Sequence, residues 1–238
     1  MIKPLIRAAF AAIGYDPPRK TLRRFTISGL HYEADPCSVG QTPQGESTAE
    51  GAIRMIGERA MRDLRVLDIC CGVGIIGLTI FTRLRPEGLV RGVGLADINI
   101  FNLNVLERTL KNNSLGHLVG NEIKFWLTNG LTHIPAEEKF DLIISNPPHF
   151  PRQDFTSERF SPDVLGTFDA AWSFHAAFYR QCHERLTPGG EVWFLENGEA
   201  ATEQDLLPFI AANPQLKYIG QSSEPLLPKC FWMTTKRV

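Results

Sequence analysis

The chain has 238 residues, 43% of them hydrophobic and 21% charged, with a formal net charge of −1. That is enough to bury one full core with at most a small appendage, and it excludes a globally basic nucleic-acid binder and a disordered acidic tail. Five cysteines, Cys37, Cys70, Cys71, Cys182 and Cys230, form no CxxC pair and no metal-ligand spacing, so no metal is expected and a reducing, cytoplasmic setting is the default.

Charge is uneven: in the first 24 residues six cations stand against Asp16 alone. There Ile2, Leu5, Ile6, Ala9, Phe10 and Ile13 fall at helical spacing until Gly14 and Pro17-Pro18 end the run. Arg7 interrupts it, and it is too short for a membrane span. RFTISGLHYEA alternates around Ser28-Gly29, a hairpin signal. CSVGQTPQGEST is too polar for a core element and reads as a loop, after which Glu46 to Met61 predicts a helix with Ile53, Ile56 and Ala60 inward.

From residue 64 the pattern alternates: strand 64–69, helix 75–84, strand 89–96, helix 100–112, strands 121–127 and 140–145, helix 167–187, strand 191–197 and helix 202–212. Such alternation predicts a parallel sheet covered on both faces. QLKYIGQSS and CFWMTTKR are two further strands, and the intervening SEPLLPK is too short for a crossover helix, so the last strand should run antiparallel. The fold class is therefore α/β, Rossmann-like, with a seven-stranded, mostly parallel sheet. Residues 1–63 precede this alternation as a separate cap, and residues 64–238 carry it as one domain.

Strand 64–69 runs into VLDICCGVGIIGL, where Gly72, Gly74 and Gly77 let backbone N–H groups and a helix N-terminus approach a ligand. The string fits G-x-G-x-x-G, and Asp97 stands 20 residues beyond Gly77, so an NAD-dependent oxidoreductase is one reading. Two features oppose it. Asp68 places a carboxylate beside the loop, which repels a pyrophosphate and attracts an ammonium group. Asn146-Pro147-Pro148-His149 follows the strand FDLIIS at the ligand-binding edge, and hydride transfer has no use for it.

DxCCGxG, the Asp97 strand end and NPPH together resemble the motifs of class I S-adenosylmethionine (SAM)-dependent methyltransferases with an NPP-aromatic signature, over roughly residues 64–238. The resemblance implies SAM as cofactor and S-adenosylhomocysteine as its product. It also implies that Asp68, Cys70, Gly72 and Gly74 line the methionine moiety, that Asp97 takes the ribose hydroxyls, and that Ile98 packs on the adenine. Asn129 stands where such enzymes often use Asp for the adenine amino group. Cys70 replaces the family's first glycine, which a side chain tolerates only at negative φ. Asp97 as a mere helix cap, and Cys70 and Cys71 as packed small residues, are the structural alternatives.

An amide or aryl-amine nitrogen is a poor nucleophile because its lone pair is delocalised. Asn146 and the Pro147 carbonyl can each accept one of its N–H bonds, favouring a pyramidal nitrogen, and the paired prolines hold those acceptors rigid. Family members carry an aromatic ring after the prolines; here His149 or Phe150 is the candidate stacking surface. A neutral His149 is expected to be the active form, because an imidazolium would repel the sulfonium, so activity should fall on acidification. Asp169, Trp172 and His175 fall at i, i+3 and i+6 on helix 167–187, a face expected to open toward the same edge, and His183 reads as solvated surface. Gln41, Thr42, Gln44 and Glu46 are candidate polar groups of a substrate lid.

The motif specifies a nitrogen, not its owner. A peptide, protein or small-molecule acceptor is the first reading. RNA, or DNA, is the alternative if the basic N-terminus and Arg54, Arg59, Arg62 and Arg65 follow phosphates. A non-catalytic SAM-binding scaffold is a third. Oligomeric state is not legible.

Overall fold

The computed structural model describes residues 22–34, 38, 42–151 and 167–238. The helix expected over 1–14, together with Gln41, lies outside them. Strands β1 (Arg23–Ile27) and β2 (Leu30–Ala34) form the expected hairpin, with Ile27 paired to Leu30 across Ser28-Gly29. Both turn residues have positive φ, 49° and 79°, matching the right-handed twist of the strands.

Helix α1 (Thr42–Glu58) starts earlier than Glu46 and stops short of Met61, which corrects the reading of TPQGEST as loop. The polar residues are accommodated locally. Thr48 donates to the Gln44 carbonyl at 2.7 Å, and Gly45 packs on Ile75, whose Cγ2 would lie 3.1 Å from an added Cβ. Ala60, expected inward, is exposed at φ 52° beyond the helix end.

The main sheet comprises β3 (Leu64–Ile69), β4 (Val90–Asp97), β5 (Ile123–Leu127), β6 (Phe140–Ser145), β7 (Leu186–Asn197), β8 (Leu216–Ser223) and β9 (Cys230–Arg237). Its order is β5-β4-β3-β6-β7-β9-β8. All neighbours are parallel except that β9 runs antiparallel to both β7 and β8. Helices α2 (Ile75–Leu84), α3 (Ile100–Asn112), α4 (Ser173–Gln181) and α5 (Glu203–Ala211) complete the layers.

Alternation along the strands builds two cores. Val66, Leu95, Leu142 and Ile144 face a cluster with α1, α2, α3 and the hairpin's Tyr32. Leu67, Ile143 and Phe194 face another with Phe178 and Tyr179 of α4 and Leu206 and Ile210 of α5. The chain builds outward from β3 to β5, then returns and builds the other way from β6. The switch point therefore lies between β3 and β6, whose register pairs Asp68 with Ile144. Ligands bind at the carboxyl ends of strands at such a point.

The single helix expected over 167–187 is not formed. A 3-10 turn over Ala170–Trp172 precedes α4, with Ala171 and Trp172 at φ 51° and 58°, and a second turn, Cys182–Arg185, leads into β7. The cause is Asp169, which accepts the backbone N–H groups of Phe174 at 2.7 Å and His175 at 3.1 Å and so fixes where the helix begins. Among the described residues no helix is long and apolar enough to cross a membrane.

Candidate active site at the switch point

Asp68 ends β3 fully buried. Its Oδ2 accepts the Gly77 N–H at 2.8 Å, while Oδ1 has no hydrogen-bond partner among the described residues. Burial, reinforced by Asp97 and opposed by the Gly77 bond, pushes its carboxyl up to about 8. Tyr32 of β2 brings a second buried oxygen without such a partner, and the charges of Asp68 and Glu46 act on it. The sequence gives no sign of Tyr32's role, because a tyrosine in an alternating hairpin reads as core.

The loop after β3 turns through Gly72 at φ 56° and Gly74 at φ 84°. Cys70 also adopts a positive φ, 57°, so the expectation of a negative angle is corrected. The loop takes a left-handed turn at Cys70, at a cost of ~1–2 kcal/mol for a residue with a Cβ. Burial and the charge on Asp97 push the Cys70 and Cys71 thiols well up. That suits packed residues rather than nucleophiles.

At the end of β4, Asp97 Oδ2 accepts the Gly72 N–H at 2.8 Å, and Oδ1 accepts from Asn99 N at 2.7 Å and Asn102 Nδ2 at 3.1 Å. The N-cap of α3 is Asn99, whose Oδ1 accepts the Phe101 N–H at 2.9 Å. Asp97 therefore ties the glycine loop to the β4 edge and is not the cap. Ile98 beside it is 50% exposed and Leu127 at the end of β5 is 47% exposed, an apolar edge of the kind a flat heterocycle covers. Asn129, also exposed, follows in the next turn.

Asn146 to Phe150 leave β6 beside this loop, and the His149 and Phe150 N–H groups both donate to the Thr167 carbonyl, at 3.0 and 3.1 Å. His149 is buried. Its Nε2 lies 2.9 Å from Asn146 Oδ1 and its Nδ1 3.4 Å from Glu196 Oε2. The other Glu196 oxygen is 3.1 Å from His175 Nε2, and His175 Nδ1 is 2.6 Å from Asp169 Oδ2. Asp169 and His175 thus reach the expected sheet edge, but as a closed, buried pair rather than an open face. Trp172 is half-buried, edge-on to His175 with centroids 5.1 Å apart. His183 is partly buried and hydrogen-bonded by Asn213 at 2.8 Å, which corrects its reading as solvated surface.

Glu196, the hub of this chain, went unmarked in the sequence, standing at the end of a strand that otherwise reads as apolar core. Burial opposes its ionisation, but the charge on His175 and the bonds from His149 and His175 prevail and hold its carboxyl well below the usual range. Burial likewise opposes charge on His175, and Glu196 and Asp169 override it and raise its pKa.

Three of the four arginines considered for phosphate contact are committed elsewhere. Arg54 pairs with Glu224 at 3.1 Å, Arg59 with Glu191 at 2.6 Å, and Arg65 with Glu138. Arg59, Arg62 and Arg65 also flank the amino end of β3, opposite the glycine loop. Of the lid residues, Thr42 opens α1, Gln44 supplies the carbonyl that Thr48 uses, and Glu46 accepts from Ser28 at 3.4 Å.

The sheet order, antiparallel β9, glycine loop and NPPH corner define a class I methyltransferase fold. The model of the methyltransferase small domain family matches residues 53–214, and the chain belongs to that family. It is 28% identical over 187 residues to a release factor glutamine methyltransferase of Clostridium botulinum, covering 75% of this chain and 62% of that protein. It is 33% identical over 133 residues to the ribosomal RNA small subunit methyltransferase C of Mannheimia succiniciproducens, covering 56% of this chain and 32% of that protein. The chain therefore spans less than two thirds of the length of these relatives. Among solved structures, the Thermus thermophilus 16S rRNA N2 G1207 methyltransferase RsmC, in complex with AdoMet and guanosine, superposes with a TM-score of 0.58 at 19% identity, covering 93% of this chain and 52% of that one.

Proposed function

We propose that the protein is a SAM-dependent N-methyltransferase acting on a planar amide or exocyclic amino nitrogen, with residues 1–63 covering the acceptor side of a catalytic domain over 64–238. The observation that carries this is the pairing, across the switch point, of Asp68 Oδ1 with the rigid Asn146-Pro147 corner: a buried carboxylate oxygen lacking a partner among the described residues, next to a corner that presents acceptors. The residues fit the cofactor. Asp68 would meet the methionine ammonium, Gly72 and Gly74 leave room for its chain, Asp97 stands at the ribose, and Ile98 and Asn129 at the adenine.

SAM supplies a methyl group on a sulfonium, a good leaving group, so the protein needs neither acid catalysis nor a covalent intermediate. Asn146 Oδ1 and the Pro147 carbonyl hold the two N–H bonds of the acceptor out of its plane. The acceptor nitrogen takes the methyl group as the methyl's bond to the sulfonium sulfur breaks, leaving a neutral thioether, and the proton that the nitrogen sheds goes to water. Phe150, tilted against Phe168 at 6.1 Å between centroids, is the ring left to lie along the acceptor.

A peptide, protein or small-molecule acceptor is favoured over RNA because Arg54, Arg59 and Arg65 are spent on internal ion pairs. A cytoplasmic setting belongs to the same reading, since the relatives are named for components of translation. The test is transfer of tritium-labelled methyl from SAM to glutamine-containing peptides and, in parallel, to RNA oligonucleotides. Asn146→Ala should lower turnover by ~100-fold or more while SAM affinity stays within a few-fold. Unchanged turnover in the folded variant removes Asn146 from the mechanism, and methylation of RNA alone reverses the choice of acceptor.

A further inference from the structure

Asp169, His175, Glu196, His149 and Asn146 form one hydrogen-bonded chain through the core that ends on the amide proposed to meet the acceptor. We propose that His149 is a positioning residue that determines which end of the Asn146 amide faces the acceptor, with Glu196 selecting the imidazole tautomer. This rests on Asn146 being the acceptor contact.

The reasoning starts from Glu196, which is fully buried with one imidazole against each oxygen. An ionised carboxylate only accepts hydrogen bonds, so both facing nitrogens, His149 Nδ1 and His175 Nε2, carry protons. The second nitrogen of His175 faces Asp169 at 2.6 Å and carries one too. His175 is therefore an imidazolium between two carboxylates, and it keeps Glu196 charged in the core. Asp169, His175 and Glu196 together hold one net negative charge behind His149. Burial, with the charge on Glu196 adding to it, pushes Cys230 on β9 and Tyr179 on α4 upward, and both stay neutral.

With Nδ1 committed to Glu196, a neutral His149 has only a lone pair at Nε2. In the structure Nε2 lies 2.9 Å from Asn146 Oδ1; a lone pair there requires a donor, so in the neutral state the amide exchanges its two ends, turning Nδ2 toward the ring and freeing Oδ1 for the acceptor N–H. Adding a proton to Nε2 reverses this. Oδ1 then receives the ring N–H, and Nδ2 is left facing the acceptor, donor against donor. The two ends of an amide are nearly the same size, so the exchange needs no repacking. Both nitrogens of the ring are thereby engaged edge-on, which assigns stacking to Phe150 rather than to His149. The acidic loss of activity expected from the sequence would then come from loss of the acceptor oxygen rather than from repulsion of the sulfonium.

The test is imidazole nitrogen NMR of the S-adenosylhomocysteine complex. At about pH 8 His149 should be protonated at Nδ1 and bare at Nε2; on acidification Nε2 gains its proton and the Asn146 side-chain amide signals move with the same midpoint. A neutral ring protonated at Nε2, or Asn146 signals indifferent to the titration, overturns the proposal. On a glutamine peptide, His149→Gln offers Oε1 to Asn146 and should keep turnover within ~10-fold without the acidic limb, whereas His149→Phe loses ~100-fold in kcat at unchanged S-adenosylhomocysteine affinity. Full turnover in His149→Phe also overturns it. Unchanged turnover in Asn146→Ala instead sinks the acceptor-contact reading, on which the spectra do not depend.

Discussion

Asp68 carries a carboxylate in a place that favours its neutral form, with one oxygen tied to Gly77 and the other lacking a partner among the described residues. On the proposed reading its raised pKa, about 8, couples cofactor binding to the loss of a proton. An ammonium selects the ionised form, so below about pH 8 binding releases a proton and S-adenosylhomocysteine affinity rises by up to tenfold per pH unit. Calorimetry in two buffers of different ionisation heat should find that proton, and Asp68→Asn should abolish the pH slope; a slope that survives the substitution would place the linkage elsewhere. The same substitution should raise the melting temperature of the ligand-free protein on the alkaline side, since it removes a buried charge. Asp68, Asp97 and Asn146 stand out in the sequence as candidates because each lies at the carboxyl end of a strand. Glu196 and Tyr32 were not, because their functional surroundings come from β6, the segment before α4 and the glycine loop, none of which is adjacent to them in sequence.

At the scale of elements, the strands and helices between 64 and 112 were read to within a residue or so, since long apolar runs punctuated by glycine leave little choice. The misread elements were those in which polar side chains satisfy backbone groups. Thr48 and Gly45 make a helix of a stretch that composition assigns to loop, and Asp169 starts α4 later than periodicity suggests. The glycine loop itself depends on α2 lying close against β3. An added Cβ at Gly77 would sit 2.6 Å from Leu95 Cδ2 and 2.8 Å from Asp68 Cβ, both on packed strands. Gly77→Ala should therefore destabilise by ~1–3 kcal/mol, seen as a drop of about 2–4 °C in Tm per kcal/mol, and weaken cofactor binding through Asp68. Gly57→Ala is the contrast: at an exposed position of α1, with nothing within 4 Å of the added carbon, it should stabilise by up to ~1 kcal/mol through helix propensity. Equal effects at the two sites would mean that α2 can move away from β3.

For the whole molecule, the groups that prepare the site set stability and activity against each other along pH. His175 has a raised pKa in the folded chain, so its contribution is complete below the ordinary histidine range, about 6.5, and is lost as pH rises through the raised value. Glu196 has a lowered one, so its contribution is present above about 4.3 and is lost as pH falls. Asp68, raised to about 8, joins His175 in eroding stability as pH climbs. Together they place maximal stability of the ligand-free protein at about pH 4 to 4.5, where Glu196 is already ionised and Asp68 still protonated; Asp68 then erodes stability up to about pH 8, and His175 adds to the decline above about 6.5. The proposed methyl transfer would need the opposite: Asp68 ionised to hold the cofactor, and His149 neutral to turn Asn146 Oδ1 outward. Scanning fluorimetry of the ligand-free chain should give a Tm that falls across the interval in which turnover rises. Saturating S-adenosylhomocysteine should recover more of the Tm at the alkaline end than at the acidic end, because it pairs the charge on Asp68. His175→Gln should lower the acidic maximum and flatten the decline above about pH 6.5. A Tm that instead rose with turnover toward alkaline pH would show that the buried carboxylates and imidazoles are not the groups that limit stability.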